Sequence, residues 1–193
     1  MTLPSTMTDE GQALVRHWME LREGTDLVPN SAAFLDQAHP KIQPYISFND
    51  MDDDGNNVIT LFGTGLVASW GSDITGLSVR NDFPSEVVSA YEALLRAAAT
   101  QPCGIWEVSR FATSSGRVIT KEITTLPLRM RRPGVIRIAR FHRLIESLYD
   151  VERVTGLLQS MGRQWFDVGA GVPETMPATR PLTKPLGKPL THE

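Results

Sequence analysis

LFGTGLVASWGSDITG, residues 61–76, is the stretch whose reading decides the fold. It opens as an apolar, strand-like run and breaks at Gly63-Thr64-Gly65. A short helical turn carrying Trp70 follows, and then Gly71 and Asp73-Ile74-Thr75-Gly76. Gly63 lets the backbone leave the strand tightly, and the Thr64 hydroxyl can cap the next turn. Gly71 can end that turn in the left-handed region, and Asp73 or Thr75 can accept from loop N–H groups. The stretch lacks the spacing of a catalytic triad or a metal nest. It frames either a ligand cavity or a signalling surface, with Phe62 and Trp70 as candidate lining residues. A structurally required turn and an ordinary core tryptophan would give the same pattern.

Working outward, the N-terminal side reads as an amphipathic helix over residues 8–23, with Leu14, Val15, Trp18 and Leu21 on one stripe. Thr8 or Asp9 can cap it and Gly24 can end it. Tyr45–Asn49 and Asn57–Gly63 are short β-prone runs separated by MDDDGNN, whose Asp54-Gly55 pair signals a hairpin. Downstream, Ser85–Thr100 is the clearest helix, striped by Val87, Val88, Tyr91, Leu94, Leu95 and Ala98, with Pro84 at its start and Pro102 beyond its end. Three long β-prone segments follow, Gly104–Thr113, Arg117–Leu128 and Gly134–Leu144. Asp150–Met161 reads as a second, weaker helix on Val151, Val154, Leu157, Leu158 and Met161, interrupted by Gly156. From Pro173 to Pro189 proline recurs every fourth residue, which blocks helix and central strand alike and reads as a flexible tail.

Strands at both ends of a helical middle predict an α+β domain: a five-stranded antiparallel sheet with helices on one face and an N-terminal flanking helix. Order 2-1-5-4-3 would put the first and last strands side by side in its middle. The expected division is residues 1–27 flanking helix, 28–148 core domain, 149–165 C-terminal helix or linker, and 166–193 tail.

The 193-residue chain has 41% apolar and 21% charged residues, the balance of a soluble globular protein long enough for one core. Its formal charge of −3 argues against a nucleic-acid binder. The single cysteine, Cys103, cannot close an internal disulfide and reads as a small buried apolar residue. No signal peptide and no apolar run near the roughly 20 residues of a membrane span is evident, so a cytoplasmic location is expected.

Taken together, HWMELREG and the opening stretch resemble a branch of single-domain PAS proteins abundant in alphaproteobacteria. Trp18, Leu21, Arg22 and Gly24 match that branch's W-x-x-L-R-x-G helix end. Gly63, Thr64, Gly71, Asp73, Thr75 and Gly76 match its Gly-Thr to Asp-x-Thr-Gly block, and Pro127-Leu128 matches a P-L near the end of a sheet strand. The acidic hairpin and the tail after Gly162 depart from the pattern. Asp150-Val151-Glu152-Arg153 looks like the Asp-rich motif that joins a PAS sheet to a signalling helix. The resemblance implies a regulatory protein that senses a small molecule or docks a signalling partner. It also implies a homodimer formed through flanking helices, with Leu14, Val15, Trp18 and Leu21 as interface candidates. The same stripe could instead fold back onto its own sheet.

Cofactor readings fare poorly. Haem in PAS domains is usually held by a histidine on the helix facing the sheet, and none of His17, His39, His142 and His192 lies in Ser85–Thr100. A light-sensing flavin needs a cysteine within a G-x-N-C-R-type helix, whereas Cys103 follows a helix end. Asp50, Asp52, Asp54 and Gly55 open like a calcium loop, but the twelfth position is Leu61 instead of a bidentate Glu. Strand alternation sends Arg137 and Arg143 to one face and Arg140 to the other, so the arginines after Arg129 form no single basic patch. His142, at the end of the last strand, reads as exposed. Trp106, Val108 and Arg110 share a face of the third strand, where an apolar floor beside a guanidinium would suit a small acid or aromatic, or simply pack on the helices. No nucleophile with a base is evident. Three readings stand: a non-catalytic sensor, a ligand-free interaction adaptor, and a small enzyme with an α+β pocket.

Overall fold

The computed structural model describes residues 2–36, 40–82, 85–146 and 154–177. Pro84, His39, His192, the Asp150–Arg153 motif and the tail from residue 178 lie outside the described residues. The elements run α1 (Asp9–Glu20), α2 (Ser31–Asp36), β1 (Ile46–Asp52), β2 (Asn57–Phe62), α3 (Thr64–Trp70), α4 (Val79–Asp82), α5 (Ser85–Thr100), β3 (Cys103–Thr113), β4 (Val118–Arg129), β5 (Val135–Glu146) and β6 (Val154–Asp167). The strands form one antiparallel sheet in the order β2-β1-β5-β4-β3-β6. The first five have the expected PAS-like order, with β1 and β5 adjacent.

β6 corrects the helix expected over Asp150–Met161. Its apolar residues are spaced three and four apart, which imitates a helical stripe. Register shifts against β3 between Val108/Ser109, Arg110/Phe111 and Ala112/Thr113 break the two-residue alternation of the strand. Val154 and Leu157 therefore reach the same apolar cluster although they stand three positions apart, while Leu158 and Met161 stay exposed.

Helices cover both faces of the sheet. On one face α1 packs against Phe48, Trp106, Leu126, Leu128 and Phe141. On the other, α5 packs Leu94, Leu95 and Ala98 against Met51, Ile105 and Ile138. Thr8 caps α1 by accepting from the Gly11 N–H at 3.2 Å. Glu122, fully buried on β4, takes the Thr8 N–H at 2.9 Å and its hydroxyl at 2.6 Å. A carboxylate there satisfies a helix N-terminus and pins α1 to the sheet.

This placement corrects the interface assignment. Leu14, Val15 and Trp18 are 0–1% exposed within the protomer, and Trp18 Nε1 donates to the Pro127 carbonyl at 2.7 Å. Leu21 packs against the same cluster. The stripe folds back onto its own sheet, so Leu14, Val15 and Trp18 are spent within the protomer.

Candidate functional site

The opening stretch makes one wall of a cavity between the sheet and α3–α5. Gly63 is the N-cap of α3; a Cβ there would lie 2.7 Å from the Pro44 carbonyl carbon and 2.9 Å from the Ile46 oxygen, so close packing is what excludes a side chain. The Thr64 hydroxyl does not cap the helix, because Gly63 holds the cap position with no side-chain bond. Gly71 ends the turn at φ 76°, the left-handed conformation that favours glycine. Asp73 accepts from the Thr75 N–H at 2.9 Å and shapes the return.

The cavity has a volume of about 150 Å³. Phe62 and Trp70 line it in an edge-to-face pair with ring centroids 5.9 Å apart. Tyr91, Phe111, Ile123 and Leu157 are among the residues that add to its apolar surface. Trp106, Val108 and Arg110 do share a face of β3, but it is the face that α1 covers. Trp106 and Val108 belong to the α1 cluster, the Trp106 indole donates to Glu122 Oε2 at 2.9 Å, and Arg110 is exposed. The cavity takes the alternate residues of β3, Glu107 and Phe111, because successive side chains of a strand point to opposite faces.

The polar lining was missed by the sequence reading. Glu107, 3% exposed, accepts from Ser109 Oγ and from Arg163 Nε of β6 at 2.7 Å. Glu92, 6% exposed, accepts from Arg80 Nε at 3.0 Å, Arg80 Nη2 at 2.7 Å and Asn57 Nδ2 at 3.0 Å. Burial alone would raise the Glu92 pKa, but the Arg80 and Asn57 hydrogen bonds outweigh it and hold the carboxyl below its ordinary range. His142 is buried, which corrects the expected exposure, and its Nε2 lies 3.3 Å from Ser47 Oγ. Burial, and then the charges of Arg140 and Lys121, keep its pKa well below the usual imidazole value, so the ring is neutral.

The arginines divide between faces as alternation predicts. On the α1 side Arg137 pairs with Asp50 at 2.6 Å and Arg143 with Glu10 at 3.2 Å. Arg140, facing the other way, lines the cavity with its guanidinium over the Tyr91 ring at 4.8 Å. Lys121, 4% exposed, reaches Ser69 Oγ at 3.2 Å, and burial pushes its pKa down to about 8. Cys103 is buried, with burial raising its thiol to about 12.

In the acidic hairpin, Asp52 accepts from the Asn56 backbone and side chain, each at 2.8 Å, while Asp50 is engaged by Arg137. Among the described residues no three potential ligands gather as a metal site. No described helix is long and apolar enough to cross a membrane.

No protein-family model matches the sequence, and no curated protein matches it. Among solved structures the chain is similar to the PAS domain of an HTR-like protein from Haloarcula marismortui, with 19% identity, 52% of this chain and 81% of that one covered, and a TM-score of 0.36. It is also similar to a fungal LOV domain photoreceptor, at 14% identity, 69% and 90% coverage and a TM-score of 0.40. A Rhodobacter sphaeroides LOV protein matches at 14% identity, 54% and 63% coverage and a TM-score of 0.36. The PAS-like character of the fold rests on this chain's own strand order.

Proposed function

We propose that this chain is a non-catalytic, PAS-like sensory or regulatory domain that holds a small molecule between its sheet and α3–α5. A second copy of the chain or a signalling protein would read the occupied state. The observation that carries the reading is the cavity of about 150 Å³, lined mostly by apolar and aromatic side chains with a few buried polar groups. That composition is characteristic of small-molecule sites, and an apolar cavity of this size accommodates a ligand as large as benzene.

An enzymatic reading has one observation in its favour, the 3.3 Å approach of Ser47 Oγ to His142 Nε2 beside the cavity. A serine nucleophile needs its histidine to accept a proton in the transition state. Burial together with Arg140 and Lys121 opposes formation of that imidazolium. The pair is better explained as a satisfied hydrogen bond in the wall.

Native mass spectrometry of freshly purified protein, followed by thermal melting with toluene, tests the proposal. A bound small mass or a toluene-dependent rise in Tm supports it. Absence of both indicates an adaptor whose cavity takes no ligand. Stoichiometric labelling of Ser47 by diisopropyl fluorophosphate would favour the enzyme.

A further inference from the structure

We infer that the cavity is an anion site, built for a small apolar monocarboxylate whose carboxylate is bound by Arg140. The inference rests on the cavity being a ligand site and specifies its chemistry. Two carboxylates line the wall, and each is already matched by a guanidinium. Arg80 holds Glu92 at 2.7 Å, and Arg163 holds Glu107 at 2.6 Å. Arg140 lines the same cavity and pairs with neither. Its Nε is buried with no hydrogen-bond partner in the protein. The guanidinium carbon lies 4.8 Å from the Tyr91 ring centroid, a contact that leaves the Nε donor without an acceptor. Lys121, buried on the same side of the sheet, bonds a hydroxyl and no carboxylate. The wall therefore carries uncompensated positive charge.

Burying an unpaired cation is costly, and an anionic ligand removes that cost. Arginine's planar fork suits a carboxylate in particular, since two parallel N–H donors meet two oxygens. A second unused donor lines the cavity as well: Trp70 Nε1 is buried and has no hydrogen-bond partner. Both orphaned groups are donors, so the missing partner must be an acceptor. The volume limits the body to about one ring or a short branched chain. Phe62, Phe111, Ile123 and Leu157 supply the apolar surface for it.

The test uses the full chain and isothermal titration with benzoate, its uncharged isostere benzamide, and toluene. Benzoate is expected to bind at least tenfold more tightly than benzamide. The Arg140→Met variant, which keeps an apolar stem, should weaken benzoate by about tenfold to a hundredfold and leave toluene within about threefold. If that variant fails to fold, Arg140→Lys retains the charge without the fork and should still prefer benzoate to benzamide by a smaller margin. Toluene binding with no preference for benzoate over benzamide in the wild type overturns the anion assignment while the cavity reading survives. No binding of any of the three overturns both.

Discussion

Replacing Trp18 separates a core helix from a docking helix. The side chain is 0% exposed within the protomer, sits among Leu14, Phe48, Trp106, Leu126 and Phe141, and donates its indole N–H to the Pro127 carbonyl. A tryptophan buries on the order of 200 Å², which at about 25 cal/mol per Å² gives an upper bound near 5 kcal/mol for Trp18→Ala. Truncations of large aromatics measure about 3–5 kcal/mol, and leaving the Pro127 carbonyl without its donor adds about 1 kcal/mol or more. A loss of about 4 kcal/mol is thus expected, a large share of the roughly 5–15 kcal/mol that holds a domain together. With a urea m-value of about 2 kcal/mol per M, the midpoint falls by about 2 M. Trp18→Phe keeps most of the ring and loses the N–H, so about 1–2 kcal/mol is expected for it. Far-ultraviolet circular dichroism during urea titration gives the midpoints, and sedimentation of the same samples gives the mass. An unchanged midpoint accompanied by a fall from dimer to monomer would refute the assignment of Trp18 to the protomer's own core.

His142 has a depressed pKa in the folded protein, so between that value and about 6.5 only the unfolded chain takes up its proton. Stability from this residue is therefore full above pH 6.5 and falls on acidification, with a slope approaching about 1.4 kcal/mol per pH unit; chemical denaturation from pH 7.5 to 5 should show His142→Asn with the shallower decline, and equal slopes would exclude the residue as the cause. Glu92 acts in the same sense at lower pH, since its folded carboxyl sits below the ordinary range. Glu92→Gln should cost on the order of 1 kcal/mol at pH 7, Arg80 being half exposed, and its deficit should shrink as pH falls through the carboxylate range. In Gly104 the position opposite Phe166 is occupied by the aromatic ring, and an added Cβ would overlap it. Gly104→Ala should lower stability by about 1–3 kcal/mol through displacement of that buried ring, and a neutral substitution in thermal melts would show that the β3–β6 edge yields freely.

Most of the architecture was legible because it rests on local signals. The Ser85–Thr100 stripe, the Asp54-Gly55 hairpin and the three long strands each carry their period within a few residues, and the structure has them where those periods fall. β6 was not legible, because its bulges against β3 convert a strand into a helical spacing, and bulges arise from the partner strand's register. The site was half legible for a related reason. Phe62 and Trp70 sit in a turn whose geometry is local, and both reach the cavity. On β3 the choice lay between two alternating sets, Trp106-Val108-Arg110 and Glu107-Ser109-Phe111, and ordinary hydrophobicity favours the first as the interior set. That preference fails on both counts: Trp106 is buried but Val108 only partly and Arg110 not at all, and α1 covers that face while the cavity takes the other, fully buried set. In a sheet buried on both sides, an acidic residue such as Glu107 stands inside when partners distant in the chain satisfy it, whether hydrogen-bond donors, as at Glu122, or a cation. At Glu107 that cation is Arg163, 56 residues away on a strand the sequence disguises as a helix. The same dependence hid His142 and Arg140: each reads as a solvated strand residue until α5 is placed over it, and with Tyr91 against the guanidinium, Arg140 becomes a cavity cation paired with neither Glu92 nor Glu107.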